Sequence, residues 1–84
     1  MERKQMLIER LKSRQRDFTY AEAEALLGEL SYMKVERKRM TGPRVLFTSE
    51  EHPPILLHRL PTRRELPAYQ MEQLLEQLER EGLL

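Results

Sequence analysis

The sequence predicts an α+β domain with helices on one face of a three-stranded antiparallel sheet, in the order helix, helix, strand, strand, strand, helix. Three observations lead there. Apolar residues recur at helical spacing within residues 19–30 and 67–78. Between them, residues 33–38, 44–48 and 55–60 form runs of strand length. Gly42-Pro43 and the Pro-rich loop of residues 49–54 separate those runs, and both suit turns better than ladders. With 84 residues there is room for one core, and a chain this short buries only about 60–65% of its unfolded surface. One domain spanning residues 1–84 is therefore expected, with 18–84 as its core and 1–13 as an added helix.

Each element has its own signal. Residues 2–13 can form a short helix with Met6, Leu7, Ile8 and Leu11 on one side. At barely three turns it is expected to dock loosely, ahead of an apolar-free linker at residues 14–17. The second helix starts more sharply. Thr19 is a fitting N-cap with Glu22 three residues on and Phe18 before it, the pattern of a capping box. Ala23, Leu26, Leu27 and Leu30 make its buried stripe, and its end is expected near Ser31, shortly after Gly28. In the first strand, Met33, Val35 and Arg37 face one way and Lys34, Glu36 and Lys38 the other. Val45 and Phe47 are the inward residues of the second. The third begins with Ile55-Leu56-Leu57. Pro67 opens the last helix, Met71, Leu74, Leu75 and Leu78 form its stripe, and Gly82 suits its C-terminal cap, with Leu83 folding back.

Composition limits the chemistry. There is no cysteine, so disulfides, thiolate metal sites and cysteine nucleophiles are excluded. Two histidines alone make a poor metal site, and neither a Gly-rich phosphate loop nor a nucleophile elbow is present. No cofactor and no metal is expected. No apolar run approaches membrane-span length, and no signal-peptide core follows the first residues, so a cytoplasmic location without membrane partners is expected. A formal charge of +1 conceals a marked arrangement: residues 34–44 carry +4, whereas residues 17–30 and 65–84 carry −4 each. A nucleic acid would meet the sheet and its loops, not the last helix. Mutual pairing of these charges within the fold is the plainer alternative.

The richest stretch is residues 55–66, where three aliphatic residues lead into His58-Arg59 and then Arg63-Arg64. A buried strand would thus deliver one titratable group and three guanidinium groups to the rim of the domain, a set suited to phosphate. If His58 points outward, Leu56 and Leu60 share its face and Leu46 lies beside them, which suits a protein interface. If it points inward, those leucines are core and the histidine is structural. His52, between Glu51 and Pro53, reads as part of a solvated turn.

Without its first helix the order is α-β-β-β-α, that of double-stranded-RNA-binding domains, an analogy of order alone. Such domains usually carry lysines where the last helix opens; here Pro67-Ala68-Tyr69-Gln70-Met71-Glu72 holds no base, which weighs against simple duplex binding. A more specific likeness lies in Thr41-Gly42-Pro43-Arg44-Val45-Leu46-Phe47, Ile55-Leu56-Leu57-His58, Glu65-Leu66 and the ending Glu81-Gly82-Leu83-Leu84. Over about residues 18–84 the chain resembles the HicA family of bacterial toxins. The resemblance implies a double-stranded-RNA-binding fold, ribosome-independent cleavage of messenger RNA and a HicB-type antitoxin as partner. In that family the catalytic histidine follows a Gly-Ser pair at the start of the second strand. Here the stretch is Gly42-Pro43-Arg44, and arginine cannot serve as a general base at neutral pH, although it can hold phosphate. His58 is accordingly the candidate for proton transfer. Lys34, Lys38, Arg39, Arg44, Arg59, Arg63 and Arg64 are the candidate RNA- and phosphate-binding residues, and Leu46, Leu56 and Leu60 the candidate partner interface, which would also serve a weak homodimer. Two other readings stand beside the metal-independent ribonuclease: a catalytically silent RNA-binding relative, and a protein-interaction module using the open sheet face.

Overall fold

Helix termini punctuate this fold and show why its elements begin and end where they do. The computed structural model describes residues 3–35, 44–60 and 62–84. Its elements are α1 (Arg3–Lys12), α2 (Tyr20–Glu29), β1 (Met33–Lys34), β2 (Arg44–Thr48), β3 (Ile55–His58) and α3 (Ala68–Arg80). The capping box at α2 is complete: Thr19 Oγ1 accepts the Glu22 N–H at 3.0 Å, and the Glu22 carboxylate accepts the Thr19 N–H at 3.0 Å. The C-terminal ends share one device. After each helix a residue adopts positive φ (Arg14 at 52°, Ser31 at 69°, Gly82 at 74°). The next N–H then reaches back to the helix, from Gln15 to Arg10, Tyr32 to Leu27 and Leu83 to Leu78. These are Schellman closures, which satisfy carbonyls left over at a helix end.

The sheet is antiparallel in the order β1-β2-β3. Its register pairs Arg44 with His58, Val45 with Leu57, Leu46 with Leu56 and Phe47 with Ile55. Period-two alternation then sorts the side chains. Phe47, Ile55 and Leu57 are buried against the helices, whereas Arg44, Leu46, Leu56 and His58 stand on the opposite, open face. Across β1, Met33 pairs with Thr48 and so joins that open face, where it is 73% exposed.

One expectation about strands changes and another is seen only in part. Of the first strand, expected over residues 33–38, Met33–Lys34 is strand and the Val35 N–H donates once more to the Leu46 carbonyl; Glu36, Arg37, Lys38 and Arg39 lie outside the described residues. The third strand stops at His58 and not at residue 60, so Leu60 leaves the face it was expected to share with Leu56. Beyond β3 the chain returns to the start of α2, where Thr19 and Glu65 form an isolated bridge and the Leu66 N–H donates to the Phe18 carbonyl at 2.8 Å.

The first helix is not loosely docked. Leu7, Ile8 and Leu11 are buried in the same core as Phe18, Leu26, Leu27, Phe47, Leu57, Leu66 and Leu78, while Met6 turns outward. Burying three aliphatic side chains is worth roughly 1.5–3 kcal/mol each, enough to hold a helix that would fray alone. Polar ties add to it. Arg10 pairs with Glu22 at 2.6 Å and with Asp17 at 3.1 Å, and Arg14 forms a two-pronged pair with Glu72 on α3.

Candidate active site

His58 is the last residue of β3, an edge strand, and its neighbours come from two other elements, β2 and α3. From β2, Arg44 is its direct cross-strand partner. Residues so paired hold their Cβ atoms about 4.5–5.5 Å apart. From the opening of α3, the Tyr69 hydroxyl lies 3.1 Å from His58 Nδ1, the two rings tilted at 59° with centroids 6.5 Å apart. Gln70, buried at 3% exposure, accepts the His58 backbone N–H through Oε1 at 2.8 Å and donates through Nε2 to Gln73 at 3.1 Å. The ring is therefore half-exposed, its backbone is fixed by a buried amide, and one ring nitrogen has a hydroxyl partner. Pre-organisation of this kind is what proton transfer requires.

The hydroxyl of Tyr69 bears on which ring nitrogen is left open to accept a proton. When Nδ1–H donates to the Tyr69 oxygen, Nε2 keeps the lone pair and can accept a proton. After protonation, the Nδ1–H bond to Tyr69 persists. Tyr69 is thus a positioning residue for the imidazole, and nothing in the linear sequence marked it. The only spacing cue was its place in the first turn of α3, ten residues beyond the arginine that follows His58.

The remaining candidates divide. Arg59 is next to His58 in sequence but on the other side of the chain, and its guanidinium lies 5.4 Å from the centre of the Tyr20 ring on α2. Together with Leu60, Thr62, Arg63 and Arg64 it lines a cavity of about 580 Å³ beside the first residues of α2. So the three arginines of residues 59–64 gather with each other, while Arg44 goes with His58. Leu60 belongs to that cavity and not to the apolar patch. Lys34 pairs with Phe47 in register, which places it on the helix side of the sheet, where Nζ lies 3.4 Å from Glu24 of α2. Lys34, a candidate phosphate-binding residue, is thus set apart from His58 and Arg44 and carries an ion pair within the fold. Lys38 and Arg39 lie outside the described residues.

His52 also departs from expectation. Instead of sitting in a solvated turn it is half-buried, with Nδ1 2.9 Å from Glu81 at the end of α3. Tyr32 and Gln77 donate to the Pro53 and Pro54 carbonyls at 2.9 and 3.1 Å. The loop before β3 is thus clamped to the helices, and this histidine serves the fold. Burial and the nearby Glu81 carboxylate push the Tyr32 phenol up from its ordinary value.

On the open face, Leu46 and Leu56 are cross-strand partners beside the Arg44–His58 pair, with Leu56 44% exposed and Met33 further along. A cation, an imidazole and an apolar strip thus share one surface. Comparison of the chain with models of known protein families, with curated proteins and with solved structures finds no match.

Proposed function

We propose that this chain is an RNA-cleaving toxin of the HicA type, with His58 as the proton-transfer group. The observation that supports the reading best is the juxtaposition of His58 with Arg44 and Tyr69 at the open edge of the sheet. In a metal-independent cleavage, His58 Nε2 takes the proton from a ribose 2′-hydroxyl. The 2′-oxygen bonds to phosphorus, the bond from phosphorus to the 5′-oxygen breaks, and the leaving oxygen gains a proton from water. Charge building on the phosphate oxygens is met by the Arg44 guanidinium, which needs no change of protonation to do so. Arginine in place of the family's histidine thus keeps the phosphate-binding half of the site, and the base sits across the ladder on β3. A HicB-type antitoxin resting on Leu46, Leu56 and Met33 would cover His58 directly, which joins inhibition to a single apolar strip.

Purified protein incubated with a long RNA in EDTA tests the proposal. Cleavage is expected. His58→Ala lowers the rate by about 10²–10⁴-fold, and Tyr69→Phe lowers it roughly fivefold to tenfold with RNA affinity kept. No cleavage by the native chain, or equal cleavage by His58→Ala, overturns it. Salt-sensitive binding without products would instead establish the silent RNA-binding relative.

A further inference from the structure

The cavity that Arg59, Leu60, Thr62, Arg63 and Arg64 form against α2 is separate from the His58 site, and its composition points to a ligand of its own. Arg59, Arg63 and Arg64 all line it. Among the described residues, the ion pairs to these three comprise only Arg63 with Glu65, at 3.9 Å. The walls are held in place. The Tyr20 N–H donates to the Arg64 carbonyl at 3.0 Å, the Thr19–Glu65 bridge follows immediately, and Arg59 rests over the Tyr20 ring. The start of α2 adds little positive potential of its own, because its capping box already places the Glu22 carboxylate there. The guanidinium groups are therefore what an anion would meet. A volume of about 580 Å³ exceeds what one phosphate fills and falls in the range of small-molecule sites. Leu60 and the Tyr20 ring supply apolar wall for an attached sugar or base.

We propose that this cavity binds a backbone phosphate of single-stranded RNA, outside the bond that His58 would cleave. The inference rests on the RNA reading above and deepens it by naming the form of the substrate. His58 and Arg59 are consecutive, yet one belongs to the open face and the other to the helix side at the end of an edge strand. A nucleic acid touching both must bend sharply around that end. A flexible single strand can do so; a duplex, stiff over lengths far greater than this domain, cannot. Arg44 with His58, and Arg59 with Arg63 and Arg64, then grip different phosphates of one strand.

The test uses a fluorescent single-stranded RNA oligonucleotide, alone and annealed to its complement. Binding is followed by anisotropy over a salt series, in a His58→Ala background that leaves the RNA intact. Adding Arg63→Ala and Arg64→Ala to the full-length chain is expected to weaken single-strand binding about tenfold or more. The slope of log affinity against log salt should fall by about 0.7 for each phosphate released. Duplex binding should change far less. Both arginines are exposed, so an unaltered thermal midpoint is expected and excludes misfolding as the cause. Single-strand affinity within about twofold of the parent with an unchanged slope, or an equal loss for the duplex, overturns the inference. Failure of the nuclease reading is visible separately: RNA left uncut by the native chain while binding still depends on Arg63 and Arg64 removes the chemistry and keeps the subsite.

Discussion

His58 draws its fixed position from two neighbours of unequal visibility. Gln70 is buried and takes the His58 N–H, which no further strand among the described residues receives. A side-chain amide thereby closes the sheet edge at His58. Gln70→Leu fills similar space and removes that acceptor, leaving a buried donor unsatisfied. The expected cost is about 1–3 kcal/mol in urea unfolding; a loss below about 0.5 kcal/mol would show that the N–H finds another partner. In the sequence, Gln70 was merely a polar residue ahead of an apolar stripe. Residue type alone could not identify it as buried, because its partner is a backbone group brought near only by the fold. His58 itself was legible as a candidate, since an imidazole beside guanidinium groups is a rare local combination.

At the scale of elements, the helices were readable where side-chain chemistry acts locally. Thr19 and Glu22 cap α2 as their spacing indicated, and Gly82 terminates α3 with Leu83 folding back. The same C-terminal closure at α1 and α2 was hidden, because Arg14 and Ser31 hold left-handed backbone that favours glycine. Ser31→Gly is therefore expected to stabilise the protein by several tenths to about 1 kcal/mol, seen as a higher denaturation midpoint with an unchanged slope. No change, or a loss, would mean that the Ser31 side chain contributes as much as its backbone costs. Arg14 tolerates this conformation while also reaching Glu72 on α3. Strand ends were less legible than helix ends. Where β3 stops depends on the chain's return to Phe18 and Thr19, a pairing distant in sequence, and the exit of Leu60 from the open face follows from it.

Across the whole molecule, α1 and α3 are joined by the Arg14–Glu72 pair as well as by the core. Its hydrogen bonds hold the Glu72 carboxyl below its ordinary value and raise the Arg14 guanidinium above its own. A carboxylate with a lowered folded-state pKa contributes stability above its unfolded value, and that contribution disappears as pH falls through the folded one. Wild-type and Glu72→Gln protein should therefore differ at neutral pH and converge as pH drops through and below about 4.5. Both side chains are about half-exposed, so the gap should be small and shrink with salt. A gap that widened in acid would contradict the sign. The three-helix, three-strand order, the apolar stripes of α2 and α3 and the inward facing of Val45 and Phe47 on β2 all followed from local periodicity and capping, whereas the face that His58 takes on β3 was left open between two readings. These are short-range properties, written in neighbouring residues. Folding in three dimensions decided the rest: that α1 is core, that Lys34 answers Glu24, that His52 clamps a loop, and that the arginines divide between two faces. Each of those outcomes depends on which distant segments meet, and that is set by packing the chain into one core.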